Sequence, residues 1–351
     1  MKSITVYDIA KEANVSVATV SRVLNNTAPV KKETRDRINQ LIAKHQFQPN
    51  ALARSLFKKA TGMLGIILPD ITNPFFPEVL SGFDKEARRR GYTYFLCDTV
   101  SSNEDSVDQY TRETQYLGVL LEKQVDGIIM LGGRIDLARP QPDLVQDVLE
   151  AGKRVPLVLI NGNLPGTRIH RVMADERLGA SLATQHLIDL GHTDIALIGG
   201  YLGMTNTVQR KQGFLKTMKD NGLAVNPDWL LHGGFTVEKG RLFTEQLLRQ
   251  PVRPTAIVCM NDLVAIGALK AANQAGVRIP DELSITGYDD IPFSVNSIPE
   301  LTTVSLKAEE LGHTAALMLH RVISKEKTPL TVTLKPELKV RGTTASRPLR
   351  T

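Results

Sequence analysis

From Thr61 onward, short apolar runs alternate with longer amphipathic stretches. Residues 63–68, 94–97, 127–131 and 155–160 read as strands, with helices over 75–90, 105–123 and 142–151 between them. A second set follows: strands at 172–174, 195–198, 229–232, 256–260 and 284–287, with helices near 177–190, 208–221, 237–249 and 263–275. Continuous apolar runs too short for helices are strands buried on both faces. Strand–helix alternation then requires parallel sheets covered by helices on both sides, and two sets predict two doubly wound lobes. A ligand is expected at the carboxyl ends of the strands. From about Ile291 the chain adds a helix over 308–323 and strands around Val332 and 339–341, which are expected to cross between lobes. The reading places the N-lobe at about 61–160 and 291–322, and the C-lobe at about 161–290 and 323–345.

The charge is concentrated elsewhere. Residues 1–60 hold eleven Lys and Arg against four Asp and Glu, although the whole 351-residue chain is only +6. A compact basic module on a near-neutral body points to nucleic acid. Its pattern is all-helical. Thr5 is an N-cap with Asp8 in the capping-box position, and Val6, Ile9, Ala10 and Ala13 follow at helical spacing. Asn14 stands where a left-handed residue must turn the chain. Ser16 caps a second helix striped by Val20, Val23 and Leu24, and a third runs over about 32–45 with Ile38, Leu41 and Ile42 inward. Helix, tight turn, helix is the arrangement that sets a second helix into the major groove. On that helix Val17, Ala18, Ser21, Arg22 and Asn25 are read as facing outward. Arg22 can pair bidentately with guanine, whereas Val17 and Ala18 offer only apolar contact. Asn50 then caps a short segment exposing Leu52 and Leu56, too short to hold as an isolated helix. It is expected to fold on DNA, with an apolar wedge in the minor groove.

Tyr7-Asp8-Ile9-Ala10, Asn14-Val15-Ser16, Thr19-Val20-Ser21-Arg22-Val23 and Pro49-Asn50-Ala51-Leu52-Ala53-Arg54 resemble the DNA-binding signature of the lactose/galactose repressor (LacI/GalR) family. The resemblance runs the length of the chain. Asp70-Ile71-Thr72-Asn73-Pro74-Phe75-Phe76, Gln124-Val125-Asp126-Gly127, Gly191-His192, Asn261-Asp262, Gly287-Tyr288-Asp289-Asp290 and Leu301-Thr302-Thr303-Val304 match the family's periplasmic-binding-protein-like core. It implies a helix-turn-helix domain at 1–48, a hinge at 49–60 and a two-lobed effector-binding and dimerisation body at 61–351. It implies a homodimer on a pseudo-palindromic DNA operator, with Leu56 entering a central CG step. The DNA-binding set it implies is Thr5, Tyr7, Ser16, Val17, Ala18, Thr19, Ser21, Arg22, Asn25, Asn50, Ala53 and Leu56.

The expected effector cleft is polar. Asn73, Phe75 and Phe76 follow the first strand of the body, and an aromatic face can pack on a sugar or base. Asn161 follows the fourth strand, and Asn206 and Arg210 open a helix after 195–198. Asn261 and Asp289 end two further strands. A guanidinium offers five donors and a carboxylate accepts paired hydroxyls. In the family the positions of Arg210, Asn261 and Asp289 contact effector. The set favours a sugar or sugar derivative, with a purine or nucleoside as the alternative. Asp262 and Asp290 read as capping or structural residues.

No nucleophile motif, metal-ligand spacing or phosphate loop is present, so neither an enzyme nor a cofactor is expected. Two cysteines make no disulfide framework, and the amino-terminal residues form no secretory leader, so the cytoplasm is expected. No apolar run reaches membrane length. The chain's last residues show no leucine heptad, so a dimer rather than a tetramer is expected. A catabolite regulator answering to a phosphorylated protein is the rival within the family. That branch carries a basic residue before the proline matching Pro299, where this chain has Ile298.

Overall fold

The computed structural model describes residues 4–25, 28–47, 60–100, 106–140, 142–162, 164 and 166–347, without the side chains of Asn25, Ser106 and Val107. It forms two units, divided between Gly62 and Met63. The hinge residues Asn50, Ala53 and Leu56 lie outside the described residues.

The first unit holds α1 (Val6–Glu12), α2 (Val17–Asn25) and α3 (Lys32–Lys44). The Thr5 hydroxyl accepts the Asp8 N–H, and the Asp8 carboxylate accepts the Thr5 N–H at 2.8 Å. Asn14 takes φ +50, the left-handed turn that sends the chain into α2. The Ser16 hydroxyl then accepts the Thr19 N–H at 3.2 Å, capping α2. Ile9, Ala10, Ala13, Val20 and Ile38 make a small buried core. Glu12 accepts from Lys44 at 2.8 Å and from His45 at 2.7 Å, joining the ends of α1 and α3.

The second unit contains two six-stranded sheets. The first uses β1 (Met63–Leu68), β2 (Thr93–Asp98), β3 (Gly127–Leu131), β4 (Leu157–Ile160), β5 (His170–Ala174) and β11 (Thr331–Leu334), in the order β11-β5-β4-β3-β1-β2. Its helices are α4 (Phe75–Arg89), α5 (Ser106–Glu122), α6 (Pro142–Arg154) and α12 (Ala308–Ile323). The second uses β6 (Ile195–Ile198), β7 (Leu230–Leu231), β8 (Ala256–Cys259), β9 (Ser284–Asp289), β10 (Thr302–Ser305) and β12 (Glu337–Lys339), in the order β12-β10-β9-β8-β6-β7. Around it lie α7 (Glu176–Asp189), α8 (Thr205–Asp220), α9 (Val237–Leu248), α10 (Asp262–Gln274) and the short α11 (Phe293–Asn296). All pairings are parallel except β10 with β12.

The sheets correct the lobe boundaries expected from sequence. β5 and β11 belong to the first sheet, not the second, and β10 belongs to the second. Periodicity reports burial but not which neighbour a strand pairs with. The chain crosses between lobes three times, after β5, after β10 and after β11. Lys307, before α12, and Glu337, at the start of β12, pair at 2.7 Å and tie two of these crossings together.

One apolar cluster runs through the crossing region. Leu64, Ile66, Val79 and Phe83 of the N-lobe join Tyr288, Val304 and Leu306 beneath α12. α4 and α12 meet through two glycines. A Cβ on Gly82 would run into the Glu309 carbonyl, and one on Gly312 into the Val79 carbonyl. Those helices can approach this closely only without side chains at the crossing.

Candidate functional site

Ser16, ahead of α2, is exposed; on the helix Ala18 and Arg22 are exposed, and Val17, Thr19 and Ser21 are half-buried. Val17 packs partly against the headpiece core, so it is less outward than its helical position suggested. Tyr7 is exposed on α1, and Thr5 is exposed in its capping box. Arg22 and Tyr7 thus present long polar side chains to solvent on the two helices of the motif.

In the second unit the carboxyl ends of both sheets face one another. Arg210, on the second turn of α8, lies at the centre and is 5% exposed. Its Nε donates to Glu176 at 2.8 Å and its Nη2 to Asp289 at 3.2 Å. Nη1 donates to the Met260 carbonyl, and the guanidinium carbon stands 3.7 Å from the centre of the Tyr288 ring. The Tyr288 hydroxyl donates to the Glu176 carbonyl oxygen at 3.0 Å. Burial opposes the Arg210 charge, but Glu176 and Asp289 outweigh it and hold the group cationic. Asp289 ends β9 with φ +104, a conformation that L residues adopt rarely.

The N-lobe adds Asp136, in the one-turn helix after β3 (Gly133–Asp136). Its neighbour Leu137 meets Met204, which brings Asp136 to the start of α8, and burial, reinforced by Glu176 and opposed by Arg210, pushes its carboxyl well above the usual carboxylate range. Leu137 and Met204 form an antiparallel bridge, and the Ala138 N–H donates to the Gly203 carbonyl at 2.9 Å. The lobes are therefore joined at the rim of the cleft. Behind Asp136, Arg134 is pinned by Glu113, by Asp147 at 2.8 Å and by the Leu144 carbonyl at 2.9 Å. The Arg134 Nε and Glu113 Oε2 are 2.9 Å apart yet too poorly aligned to form a hydrogen bond, so this pair holds by charge.

Other expected site residues are occupied by the fold. Asn261 accepts the Val264 N–H at 3.0 Å as the cap of α10 and donates to the Phe235 carbonyl at 3.1 Å, so both ends of its amide are engaged. Asn161, at φ +55, accepts the Ala174 N–H at 2.8 Å and so fastens β4 to β5. Asn73 accepts the Phe75 N–H at 3.2 Å, opening α4. Phe75 is buried in the core and only Phe76 stays half-buried, with the two rings edge to face at 5.5 Å. The Asn206 side chain accepts from Thr207, while its backbone faces Asp136. Asp262 accepts from the Ile291 N–H and the Thr303 hydroxyl, and Asp290 from Arg341 and Ser294. Sequence reasoning missed Asp136, Glu176, Tyr288, and the edge-to-face pair of Tyr201 and Phe235 at 5.8 Å. Their signal was position: each follows or ends a strand at its carboxyl end. A cavity of about 540 Å³ lies alongside, lined by Glu78, Lys85, Asp290, Lys307 and His313, and shares only Asp289 with the Arg210 cluster.

Three carboxyl groups share one guanidinium, and burial, with Glu176 beside it, pushes Asp136 well above the usual carboxylate range. Burial pushes the Asp289 carboxyl up to about 7, against the pull of Arg210. Burial likewise pushes Glu113 up to about 7, although Arg134 opposes it. The folded protein thus keeps protons that the unfolded chain has released, so stability falls as pH rises from about 4.5 to 7. Thermal melts of the wild type are expected to drop on the order of 5 °C across that window. Glu113→Gln is expected to flatten the slope, and an unchanged slope would remove Glu113 as its source.

The fold and site define a class: a small basic helix-turn-helix unit with a two-lobed, ligand-binding α/β body. The comparisons agree. Residues 5–50 match the family of bacterial regulatory proteins, lacI family, and residues 184–344 match the periplasmic binding protein-like domain. The HTH-type transcriptional repressor PurR of Pasteurella multocida is 35% identical over 345 residues, 98% of this chain and 99% of that protein. The crystal structure of the lac repressor dimer bound to operator and the anti-inducer ONPF superposes with a TM-score of 0.84 at 27% identity, over 98% of this chain and 100% of that one. The transcriptional regulator CelR in complex with cellobiose gives 0.70 at 27% identity, over 97% and 99%. The chain belongs to the LacI family of bacterial transcriptional regulators and is a DNA-binding repressor of that type. No helix among the described residues is long and apolar enough to cross a membrane.

Proposed function

We propose that this repressor acts as a homodimer on a pseudo-palindromic operator, and that a small polar molecule bound between the lobes sets its operator affinity. The observation that carries this is the buried Arg210, held by Glu176 and Asp289 of the C-lobe and facing Asp136 of the N-lobe. Carboxylates and a guanidinium brought to the seam of two lobes reward a ligand rich in hydroxyls, which both donate and accept. A sugar or sugar derivative fits that chemistry, and the regulated genes would then serve carbohydrate use in the cytoplasm. A change in the angle between lobes would change the spacing of the paired hinge segments and so the fit to DNA.

A nucleobase or nucleoside is the second reading. Aromatic rings on both lobes, Phe76 on one and the Tyr201–Phe235 pair on the other, favour a flat ring. The PurR repressors among the relatives stand on the same side. A thermal-shift screen of sugars, sugar acids, purines and nucleosides decides between them. A saturating ligand raises the midpoint by roughly 5–10 °C. Operator titration with the hit then gives the sign of control.

For the DNA, Arg22 is assigned to base reading, Ser16, Thr19 and Tyr7 to positioning, and Leu56 to the central CG step. Arg22→Ala is expected to lose about 1–3 kcal/mol of discrimination at one base pair per half-site. The check is competition between the selected operator and single-base variants. Unchanged preference would remove Arg22 from the readout.

A further inference from the structure

A helix that connects two parallel strands leaves its carboxyl end at the amino edge of the sheet. In the first sheet that edge is made by segments 86–92, 119–126, 151–156, 166–169 and 320–330, which lead into β2, β3, β4, β5 and β11. These segments hold ten Lys and Arg against four Asp and Glu. The matching edge of the second sheet, segments 186–194, 217–229, 245–255, 271–283 and 293–301, holds four against eight. Basic residues near a helix carboxyl end are favoured by the helix dipole. That dipole acts at both edges, so it does not explain why only one of them is basic. The carboxyl ends of the sheets meet at the cleft, which leaves the amino edges as the far ends of the body, one basic and one acidic.

The basic edge is free to act on something outside the chain. Of its acidic residues, Glu86 is buried and taken up by Arg89 and Arg90 at 2.7 and 2.8 Å. Lys123, Arg154, Arg168, Lys325 and Lys327 are exposed and make no ion pair among the described residues. They stand before β3, β4, β5 and β11, and Arg88 and Arg89 before β2, so charge runs the width of the sheet. Five strand spacings of about 4.8 Å make that width about 24 Å. One strand of a duplex offers about seven phosphates over such a length. No exposed aromatic ring stands among the described residues of this edge, so it has charge but no platform for stacking bases.

We propose that the amino edge of the first sheet is a second DNA surface, which takes the phosphates of duplex flanking the operator without reading sequence. Met63 opens β1 at this same edge, so the chain arriving from the DNA-binding unit enters the body there. The headpiece would choose the site, and the body would add affinity and salt dependence.

Fluorescence anisotropy of the full-length protein on a labelled mixed-sequence duplex of about 40 base pairs, across a KCl series, tests this. One variant neutralises the unpaired charges: Lys123→Gln, Arg154→Gln, Arg168→Gln, Lys325→Gln and Lys327→Gln. All five are exposed, so its melting should stay near wild type. The control removes as many exposed charges from the other lobe: Lys216→Gln, Lys219→Gln, Arg249→Gln, Arg253→Gln and Arg278→Gln. The edge variant is expected to bind roughly tenfold more weakly near 0.1 M KCl, with a log–log salt slope shallower by about 2–4. The control is expected to match wild type, because charges more than about 10 Å away are screened. A wild-type slope in the edge variant overturns the surface. An equal loss in the control also overturns it, since net charge alone would then be responsible. Oligo(dT) of the same length and phosphatidylserine vesicles are run alongside. An equal loss on either would overturn duplex DNA as the partner, and a wild type that binds no duplex would overturn the surface outright.

Discussion

Arg210→Ala is expected to abolish the effector response while the repressor keeps its operator affinity. The guanidinium is the only cation in contact with Glu176 and Asp289 among the described residues, and it also reaches the Met260 carbonyl. Without it, two buried carboxylates lose their counter-charge and the ligand loses its principal donor. Removing one partner of a buried ion pair costs about 3–5 kcal/mol. For a domain of this size that lowers the melting point by roughly 6–20 °C. The penalty is expected to be smaller at acidic pH, because Asp289, already pushed up to about 7, can take a proton instead. Arg210→Lys guards against simple misfolding. It keeps the charge but not the planar fork, so the body should fold and still fail to respond. Fluorescence anisotropy of labelled operator, with and without the effector found in the screen, is the measurement. A full response in either variant would move the effector away from this cluster.

Much of this was legible in the sequence, for identifiable reasons. Asn14 was readable because a left-handed residue between two helices has few chemical options, and it takes φ +50. The strands of both lobes were readable because buried parallel strands are uniformly apolar, as Ile195–Ile198 and Ala256–Cys259 are. What could not be read was connectivity. Thr302–Ser305 pairs with β9 through backbone groups that every sequence shares, so nothing local assigned it to the second sheet. The site divides in the same way. Arg210 and Asp289 were found because a charge at the carboxyl end of a buried strand needs a reason. Asn261 and Asn161 satisfied the same rule, yet their amides cap α10 and fasten β5. An asparagine beside a strand end serves a ligand or the backbone equally well, and only geometry tells which. Asp136 went unread because the Gly132-Gly133 turn hides how far the following residues reach. The start of α8, which the neighbouring Leu137 meets at Met204, lies across the cleft and far along the chain.

Ile38→Ala is expected to weaken operator binding by roughly 10- to 1,000-fold while leaving effector binding and the melting of the body untouched. The headpiece core consists of Ile9, Ala10, Ala13, Val20 and Ile38, and Ile38 is wholly buried and one of its two largest side chains. Truncating a buried isoleucine to alanine costs about 2–5 kcal/mol. A core this small supplies only about 3–5 kcal/mol in total. The two are comparable, so the unit should be largely unfolded in the variant. The surface pairs of Glu12 with Lys44 and His45 cannot compensate, because exposed ion pairs contribute little. DNA must then refold the headpiece as it binds, and affinity falls in proportion to the folded fraction, by roughly 10- to 1,000-fold. Ile38→Val is the control. It costs about 0.5–1.5 kcal/mol and should leave the headpiece mostly folded and the operator bound. Calorimetry should show the transition of the body unmoved in both variants, since the headpiece packs around its own core. Full operator affinity in Ile38→Ala would mean that the headpiece draws its stability from somewhere other than these five side chains. Loss of effector binding would mean that the two units do not fold separately.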